Sequence, residues 1–279
     1  MLSYRHAFHA GNFADVLKHS VLTLILDYMT RKEKGYYYID SHSGAGMYAL
    51  ADEYAQKTGE YKNGIAKLIK QTDIPDSLER YIEIILSFNE TGCFDYYPGS
   101  PAIAKYFSRR QDSAHLFELH PSDNKLLAEY CQRWQKCHVK QTDGYQGLLS
   151  LLPPPCRRSV VLIDPPYELK QDYQQAVTTL IKAYKKFATG TYIIWYPVVK
   201  RHLIDEMQAS LVSSQLKNLI KVEYCQSPDT EAYGMTGSGL FIVNPPWQLA
   251  EQMKEVLPYL KQHLGNSDSS YVVTTLIKE

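Results

Sequence analysis

The chain has 279 residues, 44% of them hydrophobic, enough to bury the core of one large α/β domain. Thirty basic residues balance 30 acidic ones, which excludes a protein that coats nucleic acid by bulk charge and makes any such contact local. Five cysteines, odd in number and with no Cys-x-x-Cys pair, argue against disulfides and a zinc site, and the absence of a charged leader or a bilayer-length apolar stretch predicts a soluble, cytoplasmic protein.

The first 19 residues are basic and aromatic: Arg5, His6, His9, Lys18 and His19 face only Asp15 as an acid, with Tyr4 and Phe8 interleaved. Such a flexible arm suits stacking on unpaired RNA and contact with its phosphates. Asn12 is placed to cap a helix whose apolar positions Val16, Leu17, Val21, Leu24, Ile25 and Tyr28 recur at helical spacing, with Gly35 as its stop. Tyr36 to Ile39 reads as a strand ending at Asp40. It is followed by Ser41-His42-Ser43-Gly44-Ala45-Gly46, where the glycines permit a tight turn and close approach of a ligand. Between Met47 and Tyr97 the strand signal vanishes, and residues 64–70 and 77–88 read as amphipathic helices around Asp73-Ile74-Pro75. That stretch is longer than a crossover needs. It predicts a helical insertion over about residues 50–95 within a single domain spanning 1–279; its Lys57, Lys62, Lys67 and Lys70 read as a solvated helix face.

Beyond it, strand and helix signals alternate. Ala114 to Phe117 ends at Glu118, an acid placed to bond ribose hydroxyls. His138 to Gln141 leads to Asp143-Gly144, and the apolar run Val160 to Ile163 ends at Asp164-Pro165-Pro166-Tyr167. Such a run fits a buried parallel strand, and two prolines after it leave a rigid turn at the carboxyl end, where open α/β sheets bind ligands. Asp164 can accept a hydrogen bond from an exocyclic amino group, the Pro165 carbonyl a second, and Tyr167 can lie flat on a base. Together they describe an aminopurine clamp. Further strands are predicted at 192–196, 222–225 and 240–243, helices around 172–187, 200–217 and 247–263, and a last strand at 271–278. Residues 240–247, Leu-Phe-Ile-Val-Asn-Pro-Pro-Trp, repeat the shape of the clamp, but Asn244 comes too late in the series of acids and reads as a decoy.

A Gly-rich turn, two acids and a clamp, each at the end of a successive strand, is the order in which a Rossmann-like sheet would contact one nucleoside cofactor. The set resembles the class I S-adenosylmethionine-dependent methyltransferases, and Asp-Pro-Pro-Tyr resembles their branch that methylates adenine N6 in nucleic acids. The amino terminus through His19, with Tyr97-Pro-Gly-Ser-Pro101, Glu118-Leu-His-Pro-Ser-Asp123 and Trp195-Tyr-Pro-Val198, is similar to the bacterial 23S ribosomal RNA adenine-N6 methyltransferase family RlmJ. The likeness runs over nearly the whole chain; Ser41 and Ser43 depart from it where Thr and Ala are expected. It implies a Rossmann-like sheet with helices on both faces, S-adenosylmethionine as cofactor and 23S ribosomal RNA as partner; methyl transfer through the clamp needs no metal, and a monomer is expected. The likeness also implies that His19, His42, Ser100, Glu118, Asp143, Gly144 and Asp164 bind the cofactor, that Asp164 with Pro165 and Tyr167 is catalytic, and that Tyr4 touches the RNA. Two other readings stay open: a DNA adenine-N6 methyltransferase, since the clamp cannot tell ribose from deoxyribose, and a catalytically silent RNA-binding assembly factor.

Overall fold

Asn12 begins the first helix as its position requires: its backbone is extended and its Oδ1 accepts from the amides of Ala14 and Asp15, both at 3.0 Å. In the computed structural model, which describes residues 6–90, 92–230 and 234–279, this helix, α1 (Phe13–Thr30), is buried on nearly every side, Asp15, Lys18 and His19 included. The expectation of an RNA-facing arm through residue 19 is corrected by this. Apolar residues recur on every turn from Val16 to Leu26, and a helix apolar all round belongs inside. It therefore carries its charged groups into the interior. Tyr4 and Arg5 lie outside the described residues.

After α1, β1 (Tyr37–Asp40) leads through the Gly-rich turn into β2 (Met47–Ala49), which pairs antiparallel with β3 (Tyr96–Pro98) in a small separate sheet. Between these two strands lie α2 (Glu53–Thr58), a 3-10 turn (Glu60–Asn63), α3 (Ile65–Leu68) and α4 (Asp76–Ser87). Strands of three residues show no readable alternation, so the hairpin at the root of this helical stretch was invisible to periodicity. The chain continues through α5 (Ser100–Phe107), β4 (Ser113–Phe117), α6 (Pro121–Cys131), β5 (Cys137–Lys140), α7 (Gly144–Ser150) and β6 (Ser159–Ile163). It ends with α8 (Lys170–Lys186), β7 (Thr191–Val198), α9 (Arg201–Val212), β8 (Leu219–Cys225), β9 (Gly237–Val243), α10 (Leu249–Leu264) and β10 (Ser270–Ile277). Helix α9 stops short of the expected residue 217 because the hydroxyls of Ser213 and Ser214 turn back onto the carbonyls of Ser210 and Leu211.

The large sheet has the order β10-β8-β9-β7-β6-β1-β4-β5. Strands β5, β4, β1, β6 and β7 are parallel; β9 runs antiparallel to both β7 and β8, and β10 antiparallel to β8. This is the Rossmann-like α/β fold. Strands β4 and β6 are buried at all five positions, which is why β6 reads as an unbroken apolar run. One core packs α1, α4, α5 and α10 on one face, and a second packs α8 and α9 on the other. Strand order reverses at β1, which has β4 on one side and β6 on the other. The carboxyl ends of β1, β4 and β6 therefore open a crevice at the topological switch point.

Candidate active site

Every strand end that faces this crevice is bent into a cavity by local constraints. After β1, the Ser41 amide donates to the Leu162 carbonyl at 3.0 Å and the Ser43 amide to the Phe117 carbonyl at 2.8 Å, so the Gly-rich turn is tied to both neighbouring strands. Gly44 has a φ of 59°, and a Cβ there would lie 2.2 Å from the Tyr48 hydroxyl. At the start of α7, a Cβ on Gly144 would lie 1.8 Å from the Ser41 carbonyl oxygen. Glycine at 144 is what lets these two turns meet. The cavity they frame, about 280 Å³, has the size of a small-ligand site.

The seven residues expected to bind the cofactor, His19, His42, Ser100, Glu118, Asp143, Gly144 and Asp164, all line this one cavity, as does Pro165. Their bonding shows what each offers. Glu118 accepts from the Gly44 amide at 2.8 Å and the His120 amide at 2.7 Å, and burial raises its carboxyl above the ordinary value despite both donors. Asp143 caps α7 through the Gln146 amide. His19 Nδ1 meets the Tyr97 hydroxyl at 2.7 Å, and Tyr97 meets Tyr81 at 3.0 Å. When Tyr97 donates to Nδ1, the Nε2 of His19 carries the hydrogen and can donate to a ligand. His42 is held by Ser41 at 2.8 Å and packs edge-on to Tyr145. Burial lowers the His19 imidazole to about 3 and His42 to about 4, so both are neutral donors at neutral pH.

The Ser100 hydroxyl donates to Asp40, whose Oδ2 accepts from Ser100 at 2.7 Å and from Tyr38 at 2.8 Å. Burial pushes this fully buried carboxyl up to about 6, with Asp164 adding to the rise against the two donors.

The chemistry of Asp164 is set by a residue that the sequence placed on the outside. Lys18 Nζ lies 2.7 Å from Asp164 Oδ2 and 3.0 Å from Asp15 Oδ1, with side-chain exposures of 4%, 13% and 2% in that order. Asp15 Oδ2 accepts in turn from the Gly11 amide at 3.0 Å and meets His6 Nε2 at 2.8 Å. Burial alone would raise the Asp15 carboxyl, but His6, Lys18 and His19 around it hold it well below the usual range. A chain of polar contacts thus runs from Asp164 through Lys18 and Asp15 to His6, and Lys18 and His6 both line the cavity. The signal was present as Asp15 and Lys18 at i, i+3 on one helix, but nothing in the sequence pointed them inward.

Tyr167, expected as the base platform, is not among the residues that line the cavity. It has a φ of 50°, and its ring packs on Tyr173 of the second core and on Trp195, at 4.5 and 5.9 Å between centroids. Its hydroxyl donates to the Trp195 carbonyl. The cavity wall beyond Pro166 is formed by Glu168 and Leu169 instead. Tyr4 lies outside the described residues.

The other Pro-Pro turn sits at the opposite edge of the sheet, because β9 runs antiparallel to β7. There Asn244, at a φ of 51°, donates to the carbonyls of Ala188 and Gly190, both at 2.8 Å.

Residues 33–277 match the model of the family described as ribosomal RNA large subunit methyltransferase D, RlmJ. The chain belongs to the RlmJ family. It is 48% identical to ribosomal RNA large subunit methyltransferase J of Escherichia coli (strain K12), over 98% of this chain and 99% of that protein. To the protein of the same name from Haemophilus influenzae it is 49% identical, over 95% and 94%. The crystal structure of protein LPL1258 from Legionella pneumophila superposes with a TM-score of 0.90 at 38% identity, covering 96% of this chain and 98% of that one. The cofactor of an RlmJ-family protein is S-adenosylmethionine, and the cavity fits it. Glycine at 144 lets backbone meet backbone beside the cavity, neutral His19 and His42 can donate to a carboxylate, and Glu118 offers a carboxylate at the end of β4, the place from which folds of this kind hold a ribose.

Proposed function

We propose that this protein methylates N6 of a specific adenine in 23S ribosomal RNA, with S-adenosylmethionine as methyl donor and Asp164 as the catalytic group. The observation that carries this reading is the convergence of the nucleoside-binding residues and the Asp164-Pro165 turn on one cavity at the switch point. The two relatives named as large-subunit ribosomal RNA methyltransferases supply the substrate class. The protein is read as a cytoplasmic monomer that needs no metal.

When bound, the cofactor supplies a methyl group already activated by its sulfonium. What remains for the protein is to align the acceptor and exclude water. Lys18 engages Oδ2 of Asp164, so Oδ1 is the oxygen presented to an incoming amino group, and the Pro165 carbonyl, outside the strand ladder, is the second acceptor. Drawing both N6 hydrogens toward these oxygens turns the nitrogen lone pair toward the methyl donor. The carboxylate then stabilises the positive charge that develops on N6. The adenine must leave its own stack to reach the cavity.

The test is methyl transfer from labelled S-adenosylmethionine to protein-free 23S ribosomal RNA from cells lacking this gene, followed by nucleoside analysis. Label in N6-methyladenosine is the expected result. Transfer to DNA alone, or to nothing, would overturn the reading.

A further inference from the structure

The helical stretch between β2 and β3 is joined to the amino terminus by a set of polar contacts that the methyl-transfer chemistry does not use. Residues 6–12 fold as two successive turns, with the His9 amide on the His6 carbonyl at 2.8 Å and the Asn12 amide on the His9 carbonyl at 3.1 Å. On one side this segment leans on α1 through Asp15, which holds both His6 and the Gly11 amide. On the other it is gripped by the insertion. Thr58 donates to the Phe8 carbonyl, and the Ile65 amide donates to the Gly11 carbonyl at 2.9 Å. The two chains meet backbone to backbone, since a Cβ on Gly64 would fall 2.1 Å from the Gly11 carbonyl oxygen.

Glu60 supplies the carboxylate of this grip, beside Lys57, whose Nζ lies 5.9 Å from the centre of the Phe8 ring. That carboxylate faces His9 Nδ1 at 2.9 and 3.1 Å and accepts from Asn12 Nδ2 at 2.8 Å, across 48 to 51 residues of sequence. Both partners belong to the segment that brings His6 into the cavity wall, where its ring packs on Tyr48. The bond to Glu60 raises the His9 imidazole above its ordinary value, with a smaller contribution from Asp15, so the contact gains charge assistance where His9 is protonated.

We infer that Glu60 is a positioning residue for methyl transfer, a clamp through which the helical insertion holds the His6 segment against the cavity where the RNA adenine must enter. The inference rests on the proposed RNA methyltransferase activity. Helix α1 is anchored by its own apolar faces, so losing Glu60 loosens residues 6–11, which Asp15, Thr58 and Ile65 still hold, without removing Lys18 or His19 from the cavity. The effect falls on RNA and spares the cofactor.

Three readouts on the full chain test this: affinity for S-adenosylhomocysteine by calorimetry, steady-state methylation of 23S ribosomal RNA, and hydrogen exchange of residues 6–12. In Glu60→Ala, exchange over 6–12 should accelerate while α1 stays protected, and cofactor affinity should be unchanged. The kcat/KM for RNA should drop about tenfold, the equivalent of one charge-assisted hydrogen bond, mainly through KM. Glu60→Gln, which keeps an acceptor for Asn12, should fall between. His9→Ala should lower kcat/KM in the parent and add nothing in the Glu60→Ala background, because coupled residues are non-additive. Unaltered exchange over 6–12 in Glu60→Ala would overturn the clamp whether or not the protein is active. So would full RNA kcat/KM, or a loss shared equally by cofactor binding. An unsubstituted protein that methylates no RNA defeats the proposed function and, with it, the catalytic role of Glu60.

Discussion

Lys18 stands between two carboxylates, and this decides what its removal does. In Lys18→Met, Asp15 and Asp164 lose their shared cation inside the protein, and breaking a buried pair in this way costs about 3–5 kcal/mol. The expected outcome is a lower chemical denaturation midpoint together with a large loss of kcat, since the ion pair with Lys18 no longer holds the Asp164 carboxylate. Unchanged turnover would show that Asp164 is oriented without Lys18. Asp164→Ala removes the acceptor itself. Its turnover should fall by about 10²-fold or more, the usual cost of losing a group aimed at developing charge, while S-adenosylhomocysteine still stabilises the fold. Normal turnover in that variant would sink the clamp.

At the scale of elements, the two Pro-Pro turns show how strand direction overrides local resemblance. Both follow buried apolar strands, yet β6 is parallel to β1 and delivers Asp164 to the cavity, whereas β9 is antiparallel to β7 and delivers Asn244 to the far edge. There the Asn244 side chain ties off the turn that precedes β7. Asn244→Ala should leave RNA methylation intact while costing stability by about 1–2 kcal/mol, from the lost hydrogen bonds and the left-handed backbone that Ala disfavours. A drop in turnover comparable to that of Asp164→Ala would mean the functional turn was misidentified. Helix α1 makes the same point. Its cap and its length were legible from Asn12 and the apolar spacing, but its neighbours were not. It packs under α4, α5 and α10, so the polar residues near its start face the cavity and not solvent.

For the whole molecule, burying two neutral histidines beside the cavity makes stability depend on pH. His19 and His42, lowered to about 3 and about 4 in the fold, titrate near 6.5 when unfolded. The folded state therefore binds fewer protons between those limits. Their contribution is complete above about 6.5 and is lost as pH falls toward 4 and then 3. Asp40 works in the opposite sense: its carboxyl is raised to about 6, so its contribution is present below the unfolded carboxylate range and lost as pH rises through 6. Replacing His42 by Asn isolates the histidine contribution. The thermal midpoint of that variant should decline less steeply than that of the parent between pH 6.5 and 4, and identical acid limbs would refute the assignment. Among the described residues no helix is long and apolar enough to cross a membrane.

The sequence by itself determined which groups end the strands. Apolar runs closed by Asp40, Glu118 and Asp164, with glycine at 44 and 144, are local facts, and a parallel α/β sheet gathers such ends at one edge whatever the details of packing. That is why Glu118, Asp143 and Asp164 could be read as parts of one site, whereas His19, His42 and Ser100 were named only through the family resemblance; all of them line one cavity. Tertiary structure alone decided the contacts between groups far apart in the chain. Lys18 reaches Asp164 across 146 residues, Glu60 reaches His9 across 51, and Tyr167 packs its ring on Tyr173 and Trp195. Periodicity reports which face of an element is apolar, but it carries no information about which other element will cover that face. A charged residue on a helix buried all round therefore looks the same in sequence as one on a solvated arm, until the surrounding helices close over it.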